Sequence, residues 1–202
     1  MADTSVAPGH GRALGPWVVR ILVGAVFVSY PVVVWIGLRE RSPRLIAAVL
    51  LCVMAPLAVW RLRRSNREAL RGLAIVPVAT VVVLSLSAAL DAGGLLLAVP
   101  VVINTIFLAV FGATLRRGSM PMIERFARLQ EPDLTPEQQA WCRLWTVIWC
   151  VFFVANATTA LVLALAAPLA WWATYNGLIA YVLIGILFAV EWTLRRRRFS
   201  RG

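Results

Sequence analysis

Apolar positions run almost without interruption through six stretches of this chain, 17–38, 45–60, 73–90, 95–115, 144–166 and 171–194, and polar positions gather between them. Against a hydrocarbon layer of roughly 30 Å, about 20 such residues make one helical crossing. The pattern therefore predicts an all-α fold, a polytopic transmembrane helix bundle of six spans forming one domain over 17–194. The second run is the short one. Its length of about 16 residues reaches only roughly 24 Å as a helix, so it thins the bilayer, extends into its flanking arginines, or does not fully cross. A five-span bundle, with that segment lying in the cytoplasmic interface, is the alternative. Pro31, Pro56, Pro77 and Pro100 fall inside runs and predict kinks, tolerated where neighbouring helices satisfy the freed carbonyls.

The 116–143 segment interrupts this pattern with most of the charged residues in the second half of the chain. On a helical wheel from Pro121, Met122, Ile123, Phe126, Ala127 and Leu129 share one arc, while Glu124, Arg125, Arg128 and Glu131 share the other. That is the pattern of a short amphipathic helix lying in the membrane interface. Ser119 is placed to cap it, and Glu124 to pair with Arg128 four residues on. Pro132 breaks the chain, and "TPEQ" restarts it with Thr135 as N-cap, Pro136 in the first turn and Gln138 completing a capping box. This helix is expected to continue into the fifth span. The segment is thus an interfacial helix, a hinge and a helical extension, set against the plainer reading of a solvated connector packed on its own bundle.

Composition agrees with the pattern: 61% of the 202 residues are hydrophobic and only 14% charged, with a mean hydropathy of +0.82. The net charge of +11 comes from arginine alone, since the chain has no lysine. Because the arginines lie between apolar runs, they point to membrane lipids and orientation, not to nucleic acid. With six crossings, Arg39, Arg41 and Arg44 fall on one side and the remaining 17 of the 20 on the other, counting Arg20 at the start of the first run. The positive-inside rule then places both termini, the 1–16 tail and the basic 195–202 tail, in the cytoplasm. The first run is too long for a signal peptide and is read as retained.

Several polar residues sit inside the apolar runs. Asn104 and Asn156 fall near the middle of the fourth and fifth spans; a lone amide in hydrocarbon is costly, and their similar depth makes them candidate partners for each other. Around Asn156, one arc also carries Trp145, Trp149, Phe152, Thr159 and Leu163. Trp141, Trp145, Trp171 and Trp172 read as interfacial aromatic belts. In the last span Gly177, Tyr181 and Gly185 recur every four residues, a pattern that admits close helix contact. Glu191 is its only carboxylate, and Arg195 at i+4 offers an ordinary ion pair. A substrate-binding or proton-coupled role is the sharper reading of Asn104, Asn156 and Glu191.

Conventional catalysis lacks its usual groups. The single histidine, His10, lies in the polar tail, which leaves no histidine triad or paired-histidine metal site. Cys52, Cys142 and Cys150 form no C-x-x-C pair. Asp91 stands alone in "DAGG", and no phosphate-binding glycine loop occurs. No cofactor or metal is expected.

"SMPMIERFARLQEPDLTPEQQAWCRLWTVIWCVFFVAN" and "WWATYNGLIAYVLIGILFAVEW", with the earlier "YPVVVWIGL" and "VPVVIN", resemble a family of small bacterial inner-membrane proteins encoded beside aryl polyene and xanthomonadin-type pigment genes. Members are sometimes labelled "ketosynthase". The resemblance is specific from about residue 100 to 192 and marks Asn104, Glu124, Arg125, Arg128, Cys142, Arg143, Trp149, Asn156, Tyr175, Asn176, Gly177 and Glu191 as motif positions without assigned roles. A ketosynthase needs a cysteine held by two histidines in a soluble fold, so the resemblance implies a pathway and not that reaction. Three functions follow as expectations. The first is a non-catalytic accessory protein of an envelope polyketide-lipid pathway, docking an acidic carrier protein or soluble enzymes through Glu124, Arg125, Arg128 and Arg143. The second is a transporter or flippase with an intramembrane site at Asn104, Asn156, Asn176 and Glu191. The third is a membrane-embedded lipid-modifying enzyme of unfamiliar type.

Overall fold

The computed structural model describes residues 30–39, 43–64 and 75–199, and every regular element among them is helical. The 1–16 tail with His10, most of the first apolar run, the 65–74 segment and the last three residues lie outside the described part. In chain order the helices are α1 (Tyr30–Arg39), α2 (Pro43–Arg64), α3 (Ile75–Leu90), α4 (Gly93–Ala113), the short α5 (Met122–Ala127), α6 (Pro136–Ala166) and α7 (Leu169–Phe199). Helices α4, α6 and α7 are long and apolar enough to cross a membrane; α1, the Pro43–Pro56 part of α2, and α3 are shorter apolar helices. Large aliphatic side chains such as Val151, Leu165 and Leu178 are more than 60% exposed on the outside of α6 and α7. Surface of this kind is costly in water over so wide an area, and it identifies a membrane-embedded protein.

Helices adjacent in sequence pack on one another, α2 on α3 and α3 on α4, and α4 then packs on α6. Helix α2 has 22 residues and continues past the short second apolar run into its arginines, a length of about 33 Å. At one end of the bundle the α3–α4 turn is closed by Ser87, whose hydroxyl donates to the Ala92 carbonyl at 2.9 Å. Asp91 there adopts a left-handed φ of 50°, a conformation in which Asp is one of the less penalised non-glycine residues. Its carboxylate accepts the Arg44 backbone N–H at 2.8 Å. Asp91 therefore caps α2 from another hairpin. A Cβ on Gly93 would lie 3.1 Å from Leu38 and 3.3 Å from Pro43, so α4 starts where α1 and α2 meet.

Pro100 carries no N–H, which deprives the Leu96 carbonyl of its partner within α4. The buried Tyr30 hydroxyl of α1 donates to that carbonyl. One residue on, Trp172 Nε1 donates to the Leu97 carbonyl at 3.2 Å. Trp172 is completely buried, whereas Trp171 is 63% exposed. The expected belt pair is thus split: Trp171 faces outward, and Trp172 belongs to the core because its indole N–H serves the backbone beside the proline. Toward the opposite end a second core is aromatic, with Phe153 stacked on Phe107 at 5.3 Å and edge-on to Phe111 at 5.1 Å.

Candidate functional site

Two groups of polar side chains stand out, one inside the bundle and one at its end. Inside, Asn104 lies one turn beyond Pro100 on α4 and faces Asn156 on α6, and both are buried. Asn156 Nδ2 donates to Asn104 Oδ1 at 3.0 Å, and Asn104 Nδ2 donates to the Pro100 carbonyl at 2.8 Å. The pairing expected from their depth is present. A third member joins it: the Tyr175 hydroxyl donates to Asn156 Oδ1 at 2.8 Å. Tyr175 opens a π-helical turn, Tyr175–Ile179, within α7. Such widened turns shift the backbone bonds by a residue, and here the turn carries Tyr175 on the side of α6. Asn176, the next residue, does not enter the bridge; its Nδ2 donates to the Trp172 carbonyl at 2.9 Å on its own helix. Gly177 follows where a Cβ would come within 3.5 Å of Pro31 on α1, so α1 passes close by, while the space around Gly185 is open.

Glu191 lies apart from this bridge. It is buried, and the ion pair expected with Arg195 does not form; its carboxylate accepts Trp149 Nε1 at 3.4 Å instead. The i+4 spacing allows the pair, but Glu191 turns toward Trp149 of α6, and Arg195, half-buried, does not reach its carboxylate. Trp149 also packs on Phe188 of α7 at 4.7 Å. Trp145 departs from the belt expectation too, since it is 96% buried (4% exposed) and its indole nitrogen, like that of Trp141, has no hydrogen-bond acceptor.

At the end of the bundle where α4 stops and α6 starts, α5 has only six residues, too few to be stable alone. Its first-turn amides are held from outside: Met122 N–H donates to the Thr114 hydroxyl at 3.0 Å and Ile123 N–H to the Thr146 hydroxyl at 3.2 Å. These two threonines, at the end of α4 and on α6, replace the expected cap. Ser119 does not cap α5; Pro121 occupies the N-cap and offers no side-chain acceptor. The amphipathic arcs also shift, because Met122, Ile123 and Ala127 are buried as expected but Glu124 is buried with them and Leu129 is 49% exposed. The helix ends before Leu129, so the wheel no longer applies there.

The Glu124–Arg128 pair expected at i,i+4 is present at 2.8 Å, and Arg128 also donates to the Pro132 carbonyl at 2.6 Å. Arg125 Nε donates to the Met120 carbonyl at 3.1 Å. Arg143 reaches back to the Leu115 carbonyl at 2.6 Å, 28 residues earlier in the chain. The capping box at Thr135 and Gln138 forms as read, and α6 runs unbroken from it for 31 residues. Glu137 on its first turn pairs with Arg198 of α7 at 2.7 Å. Arg116 and Arg117, in contrast, are exposed and form no ion pair with described residues.

Neither group assembles a recognisable reaction centre. Among the described residues no three His, Cys, Asp or Glu side chains gather as a metal site, and Cys52, Cys142 and Cys150 are free thiols. Tyr175 entered the sequence reading only as a motif position, and Thr114 and Thr146 not at all. A membrane-helix threonine ordinarily returns its hydroxyl to the preceding turn, as Thr146 does to Cys142 at 2.8 Å. Nothing local signals that the same oxygen accepts from another element. No protein-family model, curated protein or solved structure matches the chain.

Proposed function

We propose that this chain is a non-catalytic, multi-pass inner-membrane accessory protein whose 116–143 segment forms a basic platform for soluble partners on the cytoplasmic side. The observation that carries this reading is the fixing of α5 by the Thr114 and Thr146 hydroxyls. A six-residue helix held from two long helices is a surface organised before any partner arrives, which lowers the ordering cost of binding. Glu124, Arg128 and Arg143 maintain that surface through internal contacts. Arg116 and Arg117, exposed on the same segment, are the groups that meet an acidic partner. The internal polar bridge fits a structural role better than a transport role, because Asn104, Asn156 and Tyr175 bond to one another and to backbone.

Arginines gather at the α5 end, with Arg116, Arg117, Arg125, Arg128, Arg143 and Arg195 to Arg198, which supports placing this end and the C-terminus in the cytoplasm. The resemblance extends the reading to an aryl polyene-type envelope lipid pathway, with an acidic carrier protein or soluble synthases as partners. The test is co-sedimentation of an acyl carrier protein, used as the acidic probe, with vesicles containing the full chain. The expected outcome is that Arg116→Glu with Arg117→Glu removes most of the recruitment, and that added salt weakens it in the native chain. Equal recruitment by the native and charge-reversed chains would sink the proposal.

A further inference from the structure

An open groove of about 370 Å³ runs between the end of α4 and the start of α5, lined by Ala109, Val110, Ala113, Thr114, Met122 and Arg125. Its shape follows from the sequence. Ala109 and Ala113 are small residues one turn apart on the exposed side of α4, and Met122 walls the far side because the Thr114 hydroxyl holds its amide. Its chemistry is divided along its length. The Ala109 to Ala113 stretch extends about 6 Å along α4 and is apolar. The other end carries Arg125, whose guanidinium is oriented by its Nε bond to Met120, with Arg116 and Arg117 on the adjoining turn.

We infer that this groove is a binding site for one anionic phospholipid, with an acyl chain against Ala109, Val110 and Ala113 and the phosphate at Arg125. The groove lies where an apolar span gives way to an interfacial helix, which is the depth at which a lipid changes from methylenes to headgroup. The cationic rim selects an anionic headgroup over a zwitterionic one. Water-soluble phosphate compounds lack the chain that the alanine floor accommodates. The site shares its Thr114–Met122 wall with the docking platform, but its headgroup contact is Arg125, whereas Arg116 and Arg117 serve the soluble partner. A bound lipid would also cover the α4–α5 junction from the membrane side.

The experiment is native mass spectrometry of the full chain in mild detergent with phosphatidylglycerol or phosphatidylcholine added, and no soluble partner present. Expected results are preferential retention of phosphatidylglycerol, a loss of about five-fold in that preference for Arg125→Gln, the worth of one basic residue near an anionic surface, and reduced retention of both lipids for Ala113→Phe. Ala113 is exposed, so its replacement fills the groove without entering the core. This second variant keeps the test decisive if Arg125→Gln folds poorly. Equal retention of the two lipids by the native chain, or phosphatidylglycerol retention unchanged in Ala113→Phe, would overturn the inference.

Discussion

Burial of an amide in an apolar bundle is tolerated only with a partner, and Asn156 has two, since its Nδ2 and Oδ1 engage Asn104 and Tyr175. Such bonds inside membrane bundles average about 0.6 kcal/mol and reach about 1.7 kcal/mol. A double-mutant cycle of Asn104→Ala and Asn156→Ala, measured by reversible unfolding in mixed micelles, is therefore expected to give a coupling of about 0.5 to 1.7 kcal/mol. Zero coupling would mean that the two amides serve something other than each other. The Asn pair was legible because polar residues at matched depth in hydrocarbon have few alternatives. Trp172 was not, since a tryptophan at the edge of an apolar run looks the same whether it meets headgroups or a carbonyl beside a distant proline. Glu191 illustrates the same limit: helical spacing offered it Arg195, and tertiary packing gave it Trp149.

At the level of elements, what could be read depended on how local each signal was. The Thr135 capping box lies within four residues of sequence, and its helix starts where expected. Helix α5 carries a comparable local pattern, but its caps come from 8 and 23 residues away, so its six-residue extent and its buried Glu124 were hidden. Because α5 is too short to persist by itself, its order should depend on those hydroxyls. Thr146→Val keeps the side-chain shape while removing the acceptor, and losing a cap costs about 0.5 to 2 kcal/mol. Hydrogen exchange in detergent is expected to show the Ile123 amide opening about 2-fold to 30-fold more readily in this variant, with the α4 and α6 cores unchanged. Unaltered protection at Ile123 would show that α5 is held by the burial of Met122 and Ala127, and the platform would then owe its rigidity to packing.

For the molecule as a whole, the question left by the short second apolar run is how many times the chain crosses. If α2 lay in the cytoplasmic interface, as five spans require, Arg44 would sit on the cytoplasmic side and the α3–α4 turn on the other. The Arg44 N–H and the Asp91 carboxylate are 2.8 Å apart, so the start of α2 and that turn share one end of the bundle. Glu137 and Arg198 meet at the opposite end. Both contacts fit the proposed six crossings, which would put Arg39 on the sparsely charged side; its guanidinium lies over the Trp35 ring at 5.0 Å, a cation–π contact that would offset part of the cost of that position. In a chain freed of its three native cysteines, Arg44→Cys and Asp91→Cys should react with a membrane-impermeant thiol reagent from the periplasmic side. Arg117→Cys should react only once the inner membrane is opened. Labelling of Arg44→Cys only after the inner membrane is opened, as for Arg117→Cys, would remove the second crossing and the cytoplasmic placement of the N-terminus, yet leave the α5 platform and its arginines where they are.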